Sequence, residues 1–544
     1  MELSEPAPRR RGGRLVLAGT ILAVAVLSGL TWRNGAVPQV ANLNDTVAFL
    51  DGVWRIYHGQ RAHVDFHNLV GVIPFALGAA AMRLTGPTAV AIAVELAALQ
   101  VVTATLMWGV ARTRVPALIA GALAVWTALL VGSPHVLGTP SNQVTFGMFY
   151  NRLGWAVALA AWLAVLVPRR DGREAGWERG LVGALVGCLF LIKVNYFVVT
   201  VLVVLLGWGV RDRRWRGMAG LGLTAALTAW LILAVTGAGL QGYWSDLGQA
   251  RRSQEWWKLG AYVGPTWRDN LPALALFAAL LAAAWRRGVS WRRWWPAAAA
   301  GGAGLMVMQA NSHAGLAPAW ALAGLALVEV LRRAGSARRT VVMYTVAAAA
   351  FAVPIAVPDV LAVARATWAS GAAARIGRGP VYLSGVLSDL PLRLQPQEPG
   401  EEAAWRTALL ARAPGGYGMT PAQWAASCRD GLALLRARAG KGPRVVTMDL
   451  FNPWPLLLGG DPPRGDWIAW DPGRNVSRSS HLAFAEFTRD ATHVMVPRAP
   501  YYQPATELKL EIYGRDLARE FRMCGGSELW TLWERRPPGT VTSR

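Results

Sequence analysis

Apolar residues gather in blocks at 15–31, 88–110, 115–132, 150–168, 217–237, 294–310 and 340–357, and short arginine-rich stretches separate them. Each block is near the roughly 17–25 residues that cross a hydrocarbon core as a helix. Within lipid the backbone must satisfy its own hydrogen bonds, which a helix does inside one segment. A further apolar run over 181–210 reads as a helical hairpin with its tip at Lys193-Val-Asn-Tyr196. The pattern predicts a polytopic α-helical membrane protein with about eleven spans. Residues 1–357 form the transmembrane part and 32–68 its first outer loop.

After Pro358 the blocks stop, and charged residues, Pro and Gly become common. Arg444–Asp449, Asp466–Trp470 and Ala491–Val496 read as short strands. Helical patterns at 401–412, 421–439 and 504–520 alternate with them, and 521–524 with 528–533 read as a hairpin turning at Gly525-Gly526. Such alternation predicts a soluble α/β domain over 358–544.

Composition agrees: of 544 residues 53% are hydrophobic and only 16% charged, where a soluble chain carries about a quarter charged. The net charge of +23 does not point to nucleic acid. The arginines fall in clusters between apolar blocks, at Arg9–Arg11, Arg169–Arg170, Arg211–Arg216, Arg286–Arg293 and Arg332–Arg339, as topological signals do. Placing these clusters in the cytoplasm puts 32–68, 133–149, 238–269 and 311–313 outside, with the tail exported across a cell membrane. The parity closes if one early segment fails to cross or if a later hairpin is counted differently. The short segment 69–84, which contains Pro74, is expected to be re-entrant or interfacial.

Chemistry concentrates in the first outer loop. Residues 44–67 hold the carboxylates Asp45, Asp51 and Asp65, the histidines His58, His63 and His67, and the arginines Arg55 and Arg61. Val47, Leu50, Trp54 and Tyr57 share one side of a helical pattern, which predicts an interfacial helix with Asp45 at its outer start and Asp51 on its solvated side. Asp45 reads equally as an ordinary helix cap. His63, Asp65 and His67 alternate, so an extended segment would point them to one face, which leaves room for a divalent cation. Lys193 stands alone within an apolar run, where charges are expensive and commonly functional. Snorkelling to the interface is the alternative. Loop 138–152 is polar and aromatic, as carbohydrate sites often are. Loop 241–269 carries Tyr243-Trp244, Arg251-Arg252 and Trp256-Trp257-Lys258.

These residues resemble the GT-C superfamily of bacterial membrane glycosyltransferases, which includes protein mannosyltransferase-like and aminoarabinose transferase-like enzymes. The matching pieces are Asn44-Asp45, His58-Gly-Gln-Arg-Ala-His-Val-Asp-Phe66 followed by Gly71-Val-Ile-Pro74, and Gly187-Cys-Leu-Phe-Leu-Ile-Lys193. Many spans followed by an exported domain are similar too. The chain departs from the family pattern at Asn44, often a second acid there, and at Ala62 and Val194.

The resemblance implies transfer of a sugar from a polyprenyl-phosphate carrier to a glycan, lipid or protein acceptor at the outer face of the membrane. It makes Asp45 the general base, because an acceptor hydroxyl must lose its proton as it attacks. Lys193, Arg55, Arg61 and Arg152 become candidates for holding the departing lipid phosphate. Asp65 and His63 become candidates for binding donor or acceptor. The resemblance names no definite cofactor, a divalent cation stays open, and no metal ligand is assigned. A transporter or flippase would spread buried charges through several helices in paired halves, and an envelope assembly protein would use the exported domain to bind partners. Cys428 and Cys524, the two cysteines of the exported domain, are candidates for a disulfide.

Overall fold

The computed structural model describes residues 10–34, 42–172, 176–211, 215–255, 260–261, 263–311, 315–333, 337–376, 385–388, 400–410 and 419–537. Trp256, Trp257, Lys258 and His313 lie outside them. The amino-terminal part is a bundle of helices: α1 (Arg10–Arg33), α2 (Leu43–Tyr57), α3 (Val72–Thr85), α4 (Ala91–Ala111), α5 (Ala117–Gly132) and α6 (Phe149–Leu166). They are followed by α7 (Gly176–Ile192), α8 (Val194–Val204, continued by a π-helical turn to Arg211), α9 (Trp215–Thr236), α10 (Leu240–Ser253), α11 (Val263–Arg286), α12 (Trp291–Ala310), α13 (Ala319–Arg333) and α14 (Ala337–Ile376). Helix α6 is the centre, with 94% of its apolar window buried, against 6% for the peripheral α9.

Contacts at the helix ends resolve the parity of the early segments. The Arg170 backbone donates to Thr113 O (2.9 Å) and Arg114 pairs with Glu178 (2.8 Å), so the α4–α5 turn lies on the side where α6 ends and α7 begins. On the opposite side, Gly71 N at the start of α3 donates to Ile192 O (3.0 Å) at the tip of the α7–α8 hairpin. The far end of α3 returns to that same side, with Arg83 donating to Ile56 O (3.3 Å) at the end of α2. Fourteen helical residues reach only ~21 Å, short of the ~30 Å hydrocarbon core. Helix α3 therefore does not cross. Among the described residues, α1, α4, α6 and α9 are long and apolar enough to cross a membrane, and α3, α5, α8 and α13 are shorter apolar helices.

The carboxy-terminal part contains α15 (Glu401–Leu410), α16 (Pro421–Arg438), α17 (Trp454–Leu458), α18 (Phe484–Phe487) and α19 (Gln503–Glu520). Strands β2 (Val445–Thr447), β4 (His493–Pro497), β5 (Phe521–Gly526) and β6 (Trp530–Arg535) form one sheet in the order β2-β4-β6-β5. Strand β2 runs parallel to β4, and the other pairs are antiparallel. The chain thus folds as a polytopic helical membrane protein with a C-terminal α/β domain.

Five expectations change. The hairpin turns at 527–529, and Gly525-Gly526 sit inside β5 next to a bulge that absorbs them. The stretch at 466–470 forms a strand, β3 (Gly465–Trp467), but it pairs in parallel with β1 (Phe66–His67) of the first loop rather than with the domain's own sheet. Helix α14 runs through Pro354 and Pro358 instead of ending near 357, because Asp359 is held in the bundle by Arg152 at 2.8 Å. Asp51 is fully buried rather than solvated, because the soluble domain covers α2. Trp54 Nε1 donates to Gly460 O (2.9 Å), Gln60 to Pro462 O (2.6 Å), and Arg55 to Pro463 O. Cys428 and Cys524 are free thiols, the first buried in α16 and the second donating to Leu532 O at 3.5 Å.

Candidate active site

Where α2, the α7–α8 tip, α10 and the β3 loop of the soluble domain meet, they enclose a cavity of about 410 Å³. Asp45 and Lys193 both line it. Asp45 stands in the first turn of α2, which begins after Asn42, a residue in the left-handed region at φ 48°. The cap is therefore Asn42, and the Asp45 side chain makes no cap hydrogen bond. The loop ending at Met148, and the first turn of α6 with Tyr150, lie against Asp45. A Cβ at Gly147 would come within 2.9 Å of Asn42 O and 3.1 Å of Asp45 Cβ, so glycine lets the two segments touch. From the soluble domain, the Tyr501 hydroxyl donates to Asn44 Oδ1 (3.3 Å), while its backbone N–H donates to Asp449 (2.6 Å).

Lys193 interrupts the α7–α8 hairpin with extended geometry, φ −165° and ψ 125°. Its ammonium donates to Asn151 Oδ1 (3.0 Å) and Asn311 Oδ1 (2.6 Å) and lies 5.1 Å from the centre of the Tyr150 ring. Two neutral amides hold it, and burial, with Arg474 nearby, draws its ammonium down to about 7 while Asp45 opposes that fall. Asn311, to which the sequence assigned no role, is fixed in turn by Asn195 Nδ2 (2.9 Å) and bonds to the Tyr196 hydroxyl (3.3 Å).

The soluble domain supplies the rest of the wall: Trp467, Ile468, Ala469, Asp471, Arg474 and Asn475. None of these was singled out as a site residue by sequence. Burial pushes the Asp45 carboxyl up to about 6, with Asp471 adding to the rise while Arg474 and Lys193 oppose it. A carboxylate with that affinity is ionised at neutral pH yet holds a proton readily, as a general base requires.

The other sequence-predicted site residues do not reach the cavity. Arg55 is buried beneath the soluble domain and paired with Asp51 at 2.9 Å. Arg61 is exposed and pairs with Asp65 (3.4 Å), which also accepts the Arg61 backbone N–H (2.9 Å) and caps that turn. Arg152 is buried in the bundle, bonded to Asp359, to His135 Nδ1 (2.8 Å) and to Leu130 O (3.0 Å). His63 sits at φ 62° and directs Nδ1 to Asp246 Oδ2 on α10 (2.7 Å). His67 takes the other oxygen of Asp246 (2.6 Å) and reaches Glu486 with Nε2 (3.3 Å). The turn at His63 breaks the extended geometry, so His63, Asp65 and His67 do not converge as a chelating set. Among the described residues, no group of three or more His, Cys, Asp or Glu side chains is arranged to hold a metal ion.

The fold and the cavity define a class: a membrane-embedded helical protein whose site is shared between its bundle and its soluble domain. Comparison with known proteins adds little to that. No family model and no curated protein matches the chain. The chain is similar to two crystal structures of ArnT from Cupriavidus metallidurans, one bound to undecaprenyl phosphate and one in the apo state. For the first, identity is 11%, coverage is 97% of this chain and 98% of that one, and the TM-score is 0.46. For the second, identity is 11%, coverage is 95% and 98%, and the TM-score is 0.45. Overlap at that level fixes neither fold nor activity.

Proposed function

We propose that this protein transfers a sugar from a polyprenyl-phosphate carrier to an acceptor at the outer face of the cytoplasmic membrane. The observation that carries this reading is the placement of Asp45 and Lys193 in one cavity at the junction of bundle and soluble domain. In the reaction, the acceptor oxygen attacks the anomeric carbon while Asp45 takes its proton. The bond from the anomeric carbon to the phosphate oxygen breaks, and polyprenyl phosphate leaves with the electron pair. Lys193 stabilises the charge that develops on the phosphate oxygen as the bond breaks, more in the transition state than in the bound donor. The amides of Asn68, Asn151 and Asn311 and the rings of Tyr150 and Trp467 supply hydrogen bonds and flat surfaces suited to a sugar. The acceptor is a glycan, a lipid or a protein. The N-terminus faces the cytoplasm and the soluble domain the outer side, as the arginine clusters require.

The test uses purified full-length protein in proteoliposomes with a panel of radiolabelled polyprenyl-phosphate sugars and an envelope extract as acceptor. Labelled acceptor appearing together with free polyprenyl phosphate is the expected result. Movement of labelled lipid between leaflets without sugar transfer would overturn it and make the protein a flippase. Repeating the assay with a chelator tests whether a divalent cation takes part.

A further inference from the structure

The cavity's most strongly charged wall on the soluble-domain side is built by one turn, 471–476, and that turn is held from two directions. Internally, Asp471 N–H donates to Asn475 Oδ1 (2.7 Å), Gly473 N–H to Val476 O (2.8 Å) and Arg474 N–H to Asp471 O (2.9 Å). Gly473 sits at φ 75°, a conformation that glycine adopts without strain. Externally, the turn is fastened to α10 and the residues just after it. Gln249 Nε2 donates to Asn475 O (3.4 Å), Glu255 N–H to Gly473 O (2.9 Å) and Ser253 to Ser480 O (3.2 Å). Such fastening suits a turn that must present a side chain at a fixed place.

That side chain is Arg474. Its side chain is 34% exposed, lines the cavity, and pairs through Nη1 with Asp471 at 3.2 Å. It lies near enough to Asp45 for their charges to act on one another. Counting the cavity's charged residues, Lys193, Arg251 and Arg474 face Asp45 and Asp471, which leaves a net positive site. A guanidinium presents five donors in a planar fork, and that fork matches a phosphate with two parallel hydrogen bonds. Phe49, Val70, Phe75 and Ala310 make part of the remaining wall apolar, which favours a phosphate carried on a hydrocarbon over a free ion.

We propose that Arg474, delivered by the soluble domain, is a binding residue for the phosphate of a lipid-linked ligand, so that the domain completes the site instead of only covering it. This rests on the sugar-transfer reading and assigns the phosphate contact within it. Binding is measured with full-length protein in detergent micelles against three probes: polyprenyl phosphate, polyprenol and inorganic phosphate. The wild type is expected to bind polyprenyl phosphate most tightly. Loss of a charge-assisted contact predicts an affinity about 10- to 100-fold weaker in Arg474→Ala, with much of it restored in Arg474→Lys and polyprenol binding unchanged.

Unchanged polyprenyl-phosphate affinity in a folded Arg474→Ala protein overturns the inference and leaves the sugar-transfer reading standing. Equal weakening for polyprenol and polyprenyl phosphate assigns Arg474 to packing of the turn and also overturns it. Equal wild-type affinity for inorganic and lipid phosphate would assign the site to a free anion, against the lipid source. Wild-type protein that binds none of the three removes the sugar-transfer reading itself. If Arg474→Ala does not fold, Arg474→Gln and Arg474→Lys carry the comparison.

Discussion

Replacing Asp45 by Asn tests the assigned base through activity and stability at once, because the two should move in opposite directions. Burial lifts the carboxyl from 3.8 to about 6. The unfolded chain therefore loses this proton near pH 4 and the folded protein only near pH 6. Between those values the folded state binds the extra proton, so stability falls as pH rises and stays reduced above pH 6. A shift of about two units corresponds to on the order of 3 kcal/mol. Asp45 is only partly buried, so solvent screening brings this to roughly 1–3 kcal/mol. Asparagine has nearly the same shape and no charge, so Asp45→Asn should melt higher than wild type at pH 8 and match it near pH 4. Turnover should behave differently. An amide cannot accept the acceptor's proton, and loss of a general base costs ~10²- to 10⁴-fold. In the wild type the rate should climb about tenfold per pH unit up to about pH 6 and level off above it, while the residual rate of the variant should not follow that curve. The assays are sugar transfer in proteoliposomes and thermal melting of the same preparations across pH 4–8. A variant that transfers sugar at a near-normal rate refutes the base assignment. One that melts below wild type at pH 8 refutes the account of the carboxyl's environment.

Three further outcomes follow from the fold. Because both ends of α3 lie on the cavity side, cysteines placed at Thr85 and Asn142 should react with an impermeant maleimide from the same face of a sealed vesicle, and one at Arg170 from the other; labelling of Thr85→Cys together with Arg170→Cys would make α3 a true span. Arg152→Met leaves Asp359 buried without its partner and should cost ~3–5 kcal/mol, seen as a lowered melting temperature that Arg152→Met combined with Asp359→Leu largely restores. Non-reducing peptide mapping should find Cys428 and Cys524 as separate thiols, with Cys428 alkylated only after denaturation because it is buried in α16; a linked peptide would contradict the free thiols of the fold.

Much of the bundle was legible because crossing a membrane imposes one length and one composition on every segment. The two cavity residues found by sequence, Asp45 and Lys193, were visible for a related reason: each is a charge where the local pattern calls for apolar residues. Segment 69–84 was legible as an exception through its length and the parity of the arginine clusters. What stayed hidden depends on partners remote in the chain. His63 meets Asp246 across 183 residues, Arg152 meets Asp359 across 207, and Arg55 meets Pro463 across 408. Nothing near His63, Arg152 or Arg55 reveals that an acid or a carbonyl awaits it, so each read as an available cation or ligand. Arg474 was hidden in the reverse sense. It belongs to an ordinary-looking polar turn, which the pairing of Phe66 with Gly465 and the contacts of Gln249 and Glu255 with the turn carry to the membrane site.

That pairing explains why so few of the first loop's charges remain for chemistry. An isolated α2 would leave Asp51 and Arg55 in solvent, where such a pair contributes little. Under the soluble domain both are buried, and a buried charge must be compensated by a partner or by hydrogen bonds. Arg55 accordingly spends its donors on Asp51 and on Pro463 O. The same requirement joins His63 and His67 to Asp246 and ties His67 to Glu486 of the soluble domain. Docking thus converts most of the loop's polar residues into the attachment between domain and bundle. Asp45 escapes because it stands at the opposite end of α2, against the cavity wall, where its neighbours of opposite charge are Lys193 and Arg474 rather than a dedicated partner. The soluble domain therefore acts on this site twice: it buries Arg55 beneath it and takes that guanidinium with Pro463 O, and it brings Arg474 to the cavity wall.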